Sequence, residues 1–60
     1  MEPLLTEKEV SNRLRLAEQT LRNWRFNGTG PAYIKLGRAV RYRQEDIESY
    51  AKEATVRPEQ

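Results

Sequence analysis

Six basic residues fall between Leu21 and Arg43, namely Arg22, Arg25, Lys35, Arg38, Arg41 and Arg43, and no acidic residue lies among them. The flanks have the opposite sign. Residues 1–20 carry three basic and four acidic side chains, and residues 44–60 carry two basic and five acidic. A modest net charge of +2 therefore hides a segment of +6. Charge this concentrated on a chain of 60 residues is the footprint of a polyanionic partner. The plain alternative is a solvated basic face with no partner.

Other chemistry finds little support. The chain has no histidine and no cysteine, which removes the commonest general base, thiolate ligands and disulfides. Ser11, Ser49 and scattered carboxylates have no base or metal constellation around them. We expect no enzyme activity, no catalytic residue, no cofactor and no metal. Apolar runs stop at two or three residues, far short of the ~20 that span a membrane. Met1-Glu2-Pro3 does not resemble the start of a signal peptide. The expectation is a cytoplasmic protein in a bacterial cell, associated with the nucleoid.

The basic stretch must be positioned by a small scaffold, since a chain this short buries only about 60% of its unfolded surface. Thr6 can cap a first helix at 7–14, with Glu9 at the capping-box spacing and Leu5 and Val10 as a hydrophobic staple. Val10 and Leu14 share one face. A second helix at 18–27 starts after Ala17, a poor cap, and stops at Asn27-Gly28. Leu16 and Leu21 repeat the staple spacing. Ala17, Leu21 and Trp24 point inward; Gln19, Arg22, Asn23 and Phe26 point outward, with Arg25 on the flank. Arg suits guanine edges, and Gln or Asn suits adenine. Phe26 either stands free on that face or packs on the next element.

After the loop Gly28-Thr29-Gly30-Pro31, the runs Tyr33–Leu36 and Val40–Arg43 alternate apolar and basic residues around Gly37-Arg38-Ala39. They form a β-hairpin. Ile34, Leu36, Val40 and Tyr42 would cover the helices. Lys35, Arg41 and Arg43 would line the other face, with Arg38 at the tip. Such a face repels itself unless a polyanion lies opposite. Tyr33 has no assigned place. A third helix at 45–53 places Glu45 and Asp46 in its first turn and packs through Ile47, Tyr50 and Ala51. Residues 1–53 then make one domain and residues 54–60 a flexible tail. Its core would draw on Leu5, Val10, Leu14, Leu16, Leu21, Trp24, Ile34, Leu36, Val40, Ile47 and Tyr50.

Helix, helix, basic hairpin, helix is the order of a winged helix-turn-helix, mostly α with a two-stranded wing. The run TLRNWRFNGTGPAYIKLGRAVRYRQEDIESY resembles small phage and prophage proteins of the excisionase family, which are similar to the DNA-binding domain of MerR-like regulators without its coiled coil. The most specific part is Lys35-Leu36-Gly37-Arg38 through Arg41-Tyr42-Arg43, then Glu45-Asp46-Ile47 and Tyr50. Family members often carry Trp at the position of Tyr50 and Ser or Thr at that of Ala17. The resemblance implies a recombination directionality factor. Such a protein binds neighbouring sites on double-stranded DNA in several copies, bends the DNA and helps an integrase excise a prophage. A small transcriptional regulator shares the same fold and contacts. Carried over by position, Gln19, Thr20, Arg22, Asn23, Arg25 and Phe26 belong to a recognition helix in the major groove. Lys35, Arg38, Arg41 and Arg43 belong to the wing.

A protein-interaction module docking an acidic partner through the basic face competes with DNA binding, but such a surface wants exposed aromatic anchors, and Phe26 is the one credible candidate. RNA binding lacks an aromatic platform for unpaired bases. With its apolar residues used in the core, the free protein is expected to be a monomer. Four or five of the six cations reaching phosphates would give a slope of log K against log[salt] of about −4.

Overall fold

A computed structural model describes residues 3–58. The expected domain and tail limits at residues 1 and 60 lie outside that range. The elements, in order, are β1 (Leu5–Thr6), α1 (Glu7–Leu14), α2 (Glu18–Asn27), β2 (Ile34–Leu36), β3 (Ala39–Tyr42) and α3 (Gln44–Glu53). This is the winged helix-turn-helix expected of the pattern, with one strand more.

Thr6 sits in extended backbone (φ −79°, ψ 164°) and closes a reciprocal capping box. Its hydroxyl accepts from the Glu9 N–H at 3.1 Å, and the Glu9 carboxylate accepts from the Thr6 N–H at 2.9 Å. Leu5 and Val10, the staple across this cap, both lie in the core. Helix α1 ends in a Schellman turn: the Arg15 N–H donates to the Asn12 carbonyl and the Leu16 N–H to that of Ser11. Arg15 takes the left-handed conformation at φ 55°, the only non-glycine among the described residues to do so. The same turn ends α2, with Gly28 at φ 73° and bonds from Gly28 to Arg25 and from Thr29 to Trp24.

The sheet has three antiparallel strands in the order β1-β3-β2. The third strand, β1, has only two residues, too short to show an alternation in sequence. It pairs Leu5 with Tyr42 and Thr6 with Arg41, joining the start of the chain to the wing.

The core is Leu5, Val10, Leu21, Tyr42 and Ile47, with Leu14, Trp24 and Val40 packed against it. Trp24 and Tyr50 join α2 to α3 with ring centroids 5.4 Å apart. Four residues expected to face inward lie elsewhere, the exposed Ala17 among them. Leu16 is 39% exposed and Leu36 54%, and Ala51 is exposed on α3. Leu16 sits outside the core cluster, so the second staple does not close as the first does.

The hairpin differs from the sequence expectation in register. Its turn has two residues, Gly37 and Arg38, because Leu36 pairs with Ala39 rather than with Val40 across the three-residue loop Gly37-Arg38-Ala39. Gly37 alone takes positive φ (63°), as a type II′ turn requires of its first central residue. Opposed residues share a face and neighbours alternate. Lys35 therefore lies with Val40, and Ile34 with Arg41. Ile34 and Leu36 stand on the face away from Tyr42, and Lys35 stands on the face of Val40. A one-residue change in turn length moved one strand's side chains to opposite faces. The all-basic hairpin face does not form, and no two cations oppose each other in the β2–β3 ladder.

Candidate nucleic-acid interface

Helix α2 is placed by Leu21, which is fully buried, and by the half-buried Trp24. Its outer face carries Gln19, Arg22, Asn23 and Phe26, all exposed. Three of these are already linked. The Gln19 amide donates to Asn23 Oδ1 at 3.0 Å, and Arg22 Nη1 donates to Gln19 Oε1 at 3.3 Å. This row holds amide and guanidinium groups of the kinds that read base edges, on a helix of a width the major groove admits. Phe26, at 92% exposed, stands free of the wing. Thr20 is half-buried on the flank.

Glu7, in the first turn of α1, was not among the expected site residues, yet it is the hub of this surface. Its Oε2 accepts from Arg25 Nε at 2.9 Å and Nη2 at 2.7 Å, and its Oε1 from Arg22 Nε at 3.2 Å. Glu18 adds a looser contact to Arg22 at 3.9 Å. The Arg25 guanidinium also lies 5.8 Å from the centroid of the Tyr33 ring, within cation–π range. Tyr33 in turn stands 6.2 Å from Tyr42. Burial disfavours the Arg25 charge, but the Glu7 carboxylate more than offsets it and holds the guanidinium above its ordinary pKa. Burial first, and Glu7 second, pushes the Tyr42 phenol up. Arg25, Tyr33 and Tyr42 thus tie α2 to the wing.

The loop between them is seated by Gly30, at φ 84°, which lies so close to Trp24 that a side chain there would meet the indole at 2.8 Å. In the wing, Arg38 occupies the turn, and Lys35 and Arg41 sit in the strands. Arg41 Nη1 donates to the Val40 carbonyl at 2.8 Å. Arg43 lies just past β3, at the start of α3, and its Nε donates to Asp46 at 3.0 Å. Among the described residues, Lys35, Arg38 and Arg41 pair with no carboxylate. The structure thus divides the six cations into three held by carboxylates and three unpaired in the wing. No group of three metal-ligating side chains occurs among the described residues, and no described helix is long and apolar enough to cross a membrane.

No curated protein and no solved structure matches the chain. The family described as helix-turn-helix domain matches residues 4–55, nearly the whole fold, including the capped α1, the exposed polar face of α2 and the basic wing. The chain belongs to the helix-turn-helix domain family and is a sequence-specific binder of double-stranded DNA.

Proposed function

We propose that the protein is an excisionase-like recombination directionality factor: it binds neighbouring sites on attachment-site DNA, bends that DNA and directs an integrase towards excision, without catalytic activity of its own. Helix α2 enters the major groove with Gln19, Arg22, Asn23 and Phe26. The wing meets backbone or the adjacent minor groove through Lys35, Arg38 and Arg41. The observation that carries the reading is the small size of the contact surface, one exposed helix face of ten residues' length and one two-residue turn. A single copy reads too few base pairs for a specific affinity of about 10⁻⁸ M, so several copies on adjacent sites supply the rest.

The free protein is a cytoplasmic monomer in this reading. On DNA, the acidic segment that begins with the exposed Glu45 and Glu48 of α3 meets those residues of the next copy's basic segment 21–43 that stay off the duplex, a head-to-tail contact that does not close. Copies entering successive grooves deform the duplex they share. The resemblance of residues 20–50 to excisionases supports the recombination role. A small transcriptional regulator would use the same contacts on promoter DNA.

Band shifts on attachment-site and promoter DNA separate the two. Expected are several cooperative steps on attachment-site DNA, with mobility that depends on the phase of the site, and a free species of 7.1 kDa in sedimentation. A stable free dimer giving one unbent complex on promoter DNA would replace this reading with a conventional repressor.

A further inference from the structure

Glu7 is a carboxylate set against two arginines of α2, the element that meets DNA in the proposed function. A negative charge there repels phosphates, so an interface built on charge alone would bind DNA better without it. The geometry gives it another use. Exposure rises outward along the chain of contacts, from 15% for the Glu7 side chain to 24% for Arg25 and 52% for Arg22. Arg25 uses two donors on Oε2 and fixes the carboxylate. The other oxygen takes the Nε edge of Arg22. The remaining contacts of Arg22 are longer, 3.3 Å to Gln19 and 3.9 Å to Glu18, and lie on exposed helix surface. There they can exchange for a base edge. A guanidinium held along one edge still has donors for the O6 and N7 of guanine.

We propose that Glu7 determines how strongly α2 discriminates between DNA sequences: it holds Arg22 in a base-reading pose, and its charge opposes complexes that offer phosphates alone. Arg25 is the positioning residue that fixes Glu7. The proposal rests on α2 being the major-groove element.

The test compares Glu7→Gln with the unaltered protein on a duplex selected from a random-sequence pool and on poly(dI-dC). Glu7→Gln should bind poly(dI-dC) more tightly, with a salt slope steeper by about 0.9 for each of its two arginines that becomes available to phosphate. Its preference for the selected duplex should fall about tenfold, as expected for one weakened Arg–guanine contact. Glu18→Gln removes the same charge without the buttress and should tighten both duplexes alike. The proposal is overturned if Glu7→Gln weakens both duplexes in parallel, or leaves the preference unchanged while Glu18→Gln behaves in the same way. A lost fold in Glu7→Gln leaves a measurement that needs no variant. In the free protein, the Nε protons of Arg22 and Arg25 should exchange with water more slowly than that of Arg38. Equal exchange at Arg22 and Arg38 would sink the proposal. A parent protein showing no preference between the two duplexes would instead overturn the major-groove assignment itself.

Discussion

Ala17 holds the cap position of α2 in extended backbone (φ −67°, ψ 147°) and offers no side-chain acceptor to the free N–H groups. It is exposed, so nothing packed against it opposes a hydroxyl. Ala17→Ser should stabilise the protein by about 0.5–2 kcal/mol, read as a higher melting temperature. Gly30 allows no such freedom. A Cβ there would lie 2.8 Å from two atoms of Trp24, on backbone already at φ 84°. Gly30→Ala should destabilise by about 1–3 kcal/mol, and an unchanged melt would mean that the loop moves off the indole at little cost. Glu9 carries a pH dependence. Bonding from the backbone of Thr6, then from its side chain, holds the Glu9 carboxyl below its ordinary 4.5. A depressed carboxyl contributes stability that is present above 4.5 and is lost as the pH falls through the lower, folded value. Melting temperatures of the parent and Glu9→Gln should therefore converge as the pH falls below 4.5 and through the lower, folded value. Curves that stay parallel would show that the ionised carboxylate adds nothing to the cap.

The helices were legible because each is marked at one end, α1 by Thr6 with Glu9 at its start, α2 by Asn27-Gly28 at its stop and α3 by Glu45-Asp46 in its first turn, and their apolar spacing is regular. The hairpin was legible as a hairpin but not in its faces. Tyr33–Leu36 and Val40–Arg43 alternate equally well under a two-residue or a three-residue turn. Only the pairing of Leu36 with Ala39 decides which residues face the core, and a single sequence carries little on that choice. The three-residue reading put Leu36 inside; the structure leaves it 54% exposed. The division of labour between elements survives this change, since Arg38 is at the tip under either register. Arg22→Ala should cost about 1–3 kcal/mol on a specific duplex and relax discrimination there. Arg38→Ala should weaken all duplexes more evenly, as loss of a backbone contact does. Competition shifts with a panel of single-base variants measure both. A larger change of preference in Arg38→Ala would move the reading element from α2 to the wing.

Across the whole molecule the sequence identifies every cation but not its partner. Glu7 lies 15 and 18 residues from Arg22 and Arg25, on a different helix, so the period of no single element connects them. Only the packing of α1 against α2 brings them together. The salt dependence of binding follows from that pairing. Six cations counted from sequence, with four or five on phosphates, imply a slope near −4. The structure removes Arg22 and Arg25 to Glu7 and Arg43 to Asp46, and it leaves Lys35, Arg38 and Arg41 without a carboxylate among the described residues. Three phosphate contacts at −0.9 each give about −3. Arg22 adds little, because its proposed partner is a base edge. Titration of non-specific duplex binding from low to moderate salt reads the slope directly. A value near −5 would mean that DNA strips the arginines from Glu7 and Asp46, and the three unpaired wing cations would then no longer describe the interface. A value near zero would remove the polyanion altogether. Within the wing, Arg38→Ala and Arg41→Ala should each reduce the magnitude by about one, and the double variant by about two, since contacts to separate phosphates release their counterions independently.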